Sequence, residues 1–165
     1  MYDMALVITG IILLALSVVL AFVPVRWSAP VAWCGLLLSG WGTVVEIGTG
    51  TYVFWAVAAA IVLVISYLLP SEIARSGKGN GYICGATLAG ALVGLVISHA
   101  ALIIGAVLGA FCGALAYSRT PAGAALGFPS PKFLNYLCAK GLPAVVTMCI
   151  VGLAVGALTA IYGPQ

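Results

Sequence analysis

Residues 81–117 read GYICGATLAGALVGLVISHAALIIGAVLGAFCGALAY, a run with no lysine, arginine, aspartate or glutamate. An apolar helix needs roughly 20 residues to cross the hydrocarbon core of a bilayer. This run is about twice that length, and its most polar point, Ser98-His99, lies near its middle. The segment therefore reads as two helices folded back on each other. Gly105, Gly109 and Gly113 repeat every fourth residue, and Gly81/Gly85 and Gly90/Gly94 repeat the spacing. Helices in lipid gain little from hydrophobicity against one another, so their association depends on small residues that let backbones approach. If the fold lies at residue 99, Gly94 stands level with Gly105, Gly90 with Gly109 and Gly85 with Gly113. These six glycines are the expected packing surface. Cys84 and Cys112 come close to one level near the other end of the pair. The pair either crosses the membrane fully or dips in and returns; the length of each half favours crossing.

The rest of the chain has the same character. Hydrophobic residues are 64% and charged residues 5% of the 165, against about a quarter charged in a soluble domain. The expected fold is all-α: a polytopic transmembrane bundle of six spans, or four plus a re-entrant glycine-rich hairpin. The expected spans cover about 4–23, 29–45, 52–69, 82–98, 100–117 and 142–162, in a single domain. Proline marks several edges, at Pro24, Pro30, Pro70 and Pro143. Residues 132–141 form a short amphipathic pattern, with Phe133, Leu134, Leu137 and Cys138 on one face, and are expected to lie flat at the interface. The first span lacks a positive n-region and a small-x-small cleavage site before Pro24, so it does not read as a cleaved signal peptide.

Charge orients the bundle. Arg26, Arg75, Lys78, Arg119, Lys132 and Lys140 all fall in the first, third and fifth connections. The alternate connections and the ends hold Asp3, Glu46 and His99, with no lysine or arginine. Cytoplasmic loops concentrate these cations, which places both ends of the chain outside the cytoplasm. Aromatic residues agree: Trp27, Tyr67, Tyr82, Tyr117 and Tyr136 gather with the cations, and Tyr2, Trp41, Tyr52, Trp55 and Tyr162 opposite them. The cations sit at span ends rather than on one solvated face, which argues against nucleic acid as a partner.

Chemistry is scarce. Catalysis needs a nucleophile with a base, paired carboxylates or a metal, and no such group is spaced along this chain. Five scattered cysteines and one histidine lack metal-ligand spacing, so neither metal nor cofactor is expected. Residues 75–81, RSGKGNG, resemble a phosphate loop only superficially and lack G-x-x-x-x-G-K-[ST]. Contact between anionic headgroups and Arg75, Lys78, Lys132 and Lys140 is the more physical role. Glu46 and His99 form the candidate polar site on the outer face. Ser66 and Thr87 should bond to their own helix backbone.

In the order of its features the chain resembles the bacterial inner-membrane family known as domain of unknown function 456. The likeness lies in the first helix ending at Pro24, then Ala29-Pro30 leading to Gly35-Leu36-Leu37-Leu38. It continues through Ser66-Tyr67-Leu68-Leu69-Pro70, the basic glycine loop to Gly81, and the run from Ile104 to Ala114. The chain departs from the pattern at Val25-Arg26-Trp27-Ser28, which replaces a proline-rich connection. Ser66 stands where an aspartate is common, and Ala114-Leu115-Ala116 where an acidic residue often follows. The resemblance implies a membrane location and the glycine hairpin, and no established activity. The expected function is that of a non-enzymatic membrane protein acting through helix packing, as a homo-oligomer or as a subunit beside a membrane partner. The alternative is a transporter or channel for a small neutral solute or lipid.

Overall fold

The computed structural model describes residues 4–23, 25–42, 47–69, 72 and 77–162, with the side chain of Tyr162 left aside. All the regular elements among these residues are helical. The elements are α1 (Met4–Phe22), α2 (Ser28–Gly42), α3 (Thr49–Leu68), α4 (Asn80–Ile97), α5 (His99–Ser118), a single 3-10 turn (Ala124–Leu126), α6 (Pro131–Tyr136) and α7 (Leu142–Tyr162). Five helices are long and apolar enough to cross a membrane: α1, α3, α4, α5, and the continuous helix Pro131–Ile161. This is a helical membrane protein.

The described part of α2 has 15 residues, below the roughly 17 that a span requires. Its ends nevertheless lie far apart in the bundle. Ser28 borders a cavity with Arg26 and Asn80, whereas Ile47 and Gly48, just beyond it, border another with His99 and Gly156. The chain thus climbs the height of the bundle between them.

Helix α7 is the axis, packed against α1, α2, α3, α4 and α5. Met148, Cys149, Ile150 and Ala154 on it are fully or almost fully buried, and meet Leu36 of α2, Val62 of α3 and Leu102 of α5 in one core. The outward faces are apolar instead of polar. Ile8, Ile12 and Val19 on α1, Phe54, Ile61 and Val64 on α3, Val93 on α4, and Ile104 and Leu108 on α5 are all exposed. In water such a surface would be ruinous; against acyl chains it is the expected one. Inside the helices, Ser17, Ser39, Ser66 and Thr87 each donate to a carbonyl three or four residues back, as Ser66 and Thr87 were expected to do, whereas the Thr147 hydroxyl on α7 is buried without a described partner.

Two antiparallel hairpins are held backbone to backbone. In α4–α5 the connection is a single extended residue, Ser98, which ends one helix and caps the next by accepting from the Ala101 amide at 3.1 Å. The fold therefore lies at residue 98. A Cβ at Gly105 would stand 2.2 Å from the Gly90 carbonyl, and one at Gly94 the same distance from that of Ala101. Gly105 therefore sits between Gly90 and Gly94, whose Cα is 3.6 Å from the same Cβ, and a Cβ at Gly90 would reach Gly109 Cα at 3.3 Å. Gly109 meets Ala86 and Gly113 meets Tyr82. Gly85, expected opposite Gly113, has nothing within 4 Å of its added Cβ and lies off the contact. The α1–α2 pair repeats the device, with Gly10 against Gly35 and Ser39, and Gly42 against Val7.

The segment 132–141 differs from the expectation of a flat, separate helix. Helix α6 runs without interruption through a π turn at Leu137–Gly141 into α7. The 31 residues from Pro131 to Ile161 would extend about 46 Å at 1.5 Å per residue, so the first turns project beyond a hydrocarbon core of about 30 Å. The extra residue in the π turn rotates the projecting part relative to α7, which aims Tyr136 and Lys140 inward.

Candidate polar site at the cationic end

The connections bearing the cations converge on one end of the bundle. The Arg26 guanidinium lies 5.1 Å from the centre of the Tyr67 ring at the end of α3. Asn80, the first residue of α4, donates from Nδ2 to the Phe22 carbonyl at 3.2 Å. Cys84, one turn on, donates from Sγ to the Ala21 carbonyl at 3.0 Å. Helix α1 breaks before the connection that contains Pro24, so its last carbonyls have no helical donors of their own. Two side chains of α4 supply them.

Lys140, in the π turn, donates from Nζ to Asn80 Oδ1 at 2.5 Å. Its side chain is only 8% exposed. The π turn thus directs Lys140 into the bundle, whereas Lys132 stays on an exposed helix surface. Arg26, Ser28, Ser66, Asn80, Cys84 and Lys140, together with apolar neighbours, border a cavity of about 30 Å³, the room of a single water molecule.

An aromatic clamp fixes the third connection beside this cavity. Tyr136 donates to the Lys78 carbonyl at 3.1 Å, and its ring stacks on Tyr117 with centres 5.3 Å apart. Gly79 sits beneath them with φ +79°, and any Cβ there would strike the Tyr136 hydroxyl and the Tyr117 ring. Glycine is required at this position for both reasons. Tyr117 and Tyr136 are buried in this stack, whereas Trp27, Tyr67 and Tyr82 are exposed in the manner of interfacial residues.

The other expected residues are dispersed. Lys78, Arg119 and Lys132 have exposed side chains. Arg75 and Glu46 lie outside the described residues. Glu72 is exposed in the third connection, which adds one carboxylate to the cation-bearing side. His99 is at the opposite end and opens α5. It borders two cavities of about 340 and 320 Å³ that also share Thr51 and Leu153. Trp55, expected at that interface, is buried at 6% exposure. The five cysteines are free thiols. Among the described residues no three His, Cys, Asp or Glu side chains come together to hold a metal.

Arg26, Ser28, Asn80 and Cys84 are not marked as a group by their places in the sequence. The one usable signal is an asparagine immediately before a long apolar run, two positions after a lysine. The contact of Gly10 with Gly35 is open to the same matching of small residues that brings Gly90 and Gly105 into one surface. Comparison with protein family models, with curated proteins and with solved structures found no match for the chain.

Proposed function

We propose that this is a small, non-enzymatic protein of the bacterial inner membrane that works through helix packing, as a homo-oligomer or as a subunit beside another membrane protein. One observation carries the reading. The middle of the bundle is filled, with Leu36, Leu102, Met148 and Ile150 at 1%, 1%, 2% and 0% exposure, while broad apolar faces point outward. Apart from the Thr147 hydroxyl on α7, which is buried without a described partner, the polar groups at that depth bond to their own helices, which leaves little to recognise or pass a solute. Six crossings, with α2 as the shortest, are the reading that the places of Ser28 and Ile47 beside separate cavities support. The cationic end faces the cytoplasm, supported by the convergence of Arg26, Lys78 and Lys140. Arg75, Lys78 and Lys132 then meet anionic headgroups there. Close contact of Gly90, Gly94, Gly105, Gly109 and Gly113 acts as a glycine zipper. Membership of the family of domain of unknown function 456 belongs to the same proposal, on the residue pattern alone.

A second reading, passage of a small neutral solute or lipid, is favoured by the two cavities beside His99. The two readings separate in one pair of measurements. Purified protein in mild detergent should give a native mass of a defined oligomer, or carry a stoichiometric membrane partner. Liposomes containing it should release glycerol no faster than empty ones. A bare monomer together with protein-dependent glycerol flux would replace the packing role with the passage role.

A further inference from the structure

We infer that the cavity among Arg26, Ser28, Ser66, Asn80 and Lys140 is an anion site that takes a phosphate group, from a lipid headgroup or from free phosphate. The inference concerns the cationic end alone and stands apart from the packing role.

Four features of the cavity favour an anion. Two of its bordering side chains are cations from different connections, Arg26 and Lys140. Lys140 is held at depth, where its attraction to an anion is screened less than at the surface. The cavity also lies against the first residues of two helices, Ser28 of α2 and Asn80 of α4, where unbonded amides and the helix dipole favour negative charge. Ser28 is 1% exposed and lines the cavity, with no described hydrogen bond from its side chain. A buried hydroxyl in that position is a ready donor to an acceptor oxygen.

Size and access decide how the group sits. A space of about 30 Å³ admits one oxygen, not a whole phosphate. That oxygen enters toward Lys140, Asn80 and Ser28, and the remaining oxygens stay at the rim beside Arg26, which is only half-buried. The Arg26 guanidinium, 5.1 Å from the Tyr67 ring centre, carries the planar N–H fork that pairs with phosphate. Tyr67 is itself exposed on the lipid-facing side of α3, so the rim is reached from the headgroup layer.

Native mass spectrometry of the detergent-purified full chain tests this with phosphatidylglycerol, phosphatidylcholine and inorganic phosphate as probes. Retention of one phosphatidylglycerol in preference to phosphatidylcholine is expected. Arg26→Gln should lower that retention about tenfold, the loss of one charge-assisted contact. Arg119→Gln, which removes an equal charge elsewhere, should not change it. Lys140→Met should abolish retention if it folds; Arg26→Gln keeps the test decisive if it does not. Displacement by millimolar phosphate assigns the site to the free anion, and no displacement assigns it to the lipid. Equal retention of the two lipids with no phosphate adduct, or retention unchanged in Arg26→Gln, would overturn the site.

Discussion

Gly105 and Gly85 make a matched pair at the scale of single residues. Both are helical glycines of the same hairpin, yet an added methyl at Gly105 would press on the Gly90 carbonyl, whereas one at Gly85 meets open space. Substitution by alanine should therefore have opposite signs. Gly105→Ala should destabilise by about 1–3 kcal/mol through overpacking. Gly85→Ala should be neutral or stabilise by up to about 1 kcal/mol through helix propensity. Thermal unfolding in detergent checks both, and equal effects would refute the register. The glycine spacing makes the close approach legible in the sequence, with Gly94 near Gly105 and Gly90 near Gly109, but not that Gly85 lies off the contact. Lys140 is illegible as well: a π turn changes the direction of a side chain, and the sequence 137–141 carries no mark of it.

At the scale of elements, the helix from Pro131 to Ile161 ties the cationic end together. Its π turn is the part to probe. Deleting Cys138 would restore regular winding and turn the α6 segment by about 100° relative to α7. Tyr136 would then leave the Tyr117 ring and the Lys78 carbonyl. A loss of about 1–3 kcal/mol is expected, with a weaker near-ultraviolet tyrosine signal in circular dichroism. Cys138→Ala, which keeps the turn, should change neither; unaltered stability in the deletion would show that the clamp contributes nothing. Element identity is the easiest thing to read, since apolar runs bounded by Pro24, Pro30 and Pro143 leave few choices. The flat helix at 132–141 fails because its amphipathic spacing describes equally well a projecting helix end whose apolar face leans on α5.

For the molecule as a whole, the core and the lipid-facing belt follow from one physical rule. Large and small apolar side chains, from Leu36, Val62 and Leu102 to Ala154, pack around α7, and further branched and aromatic ones on α1, α3, α4 and α5 face outward. The cations gather at one end because a charge is cheap only where water or headgroups reach it. Alternation of charge along the chain is enough to reveal that grouping, while the cavity at Asn80 exists only once three connections are brought together. Labelling with a membrane-impermeant maleimide in intact cells tests the threading most directly. The five native cysteines would first be replaced, and a single cysteine introduced by Gly77→Cys or Thr49→Cys. The account predicts labelling at position 49 and none at position 77 until the cells are permeabilised; labelling at 77 with protection at 49 would contradict it.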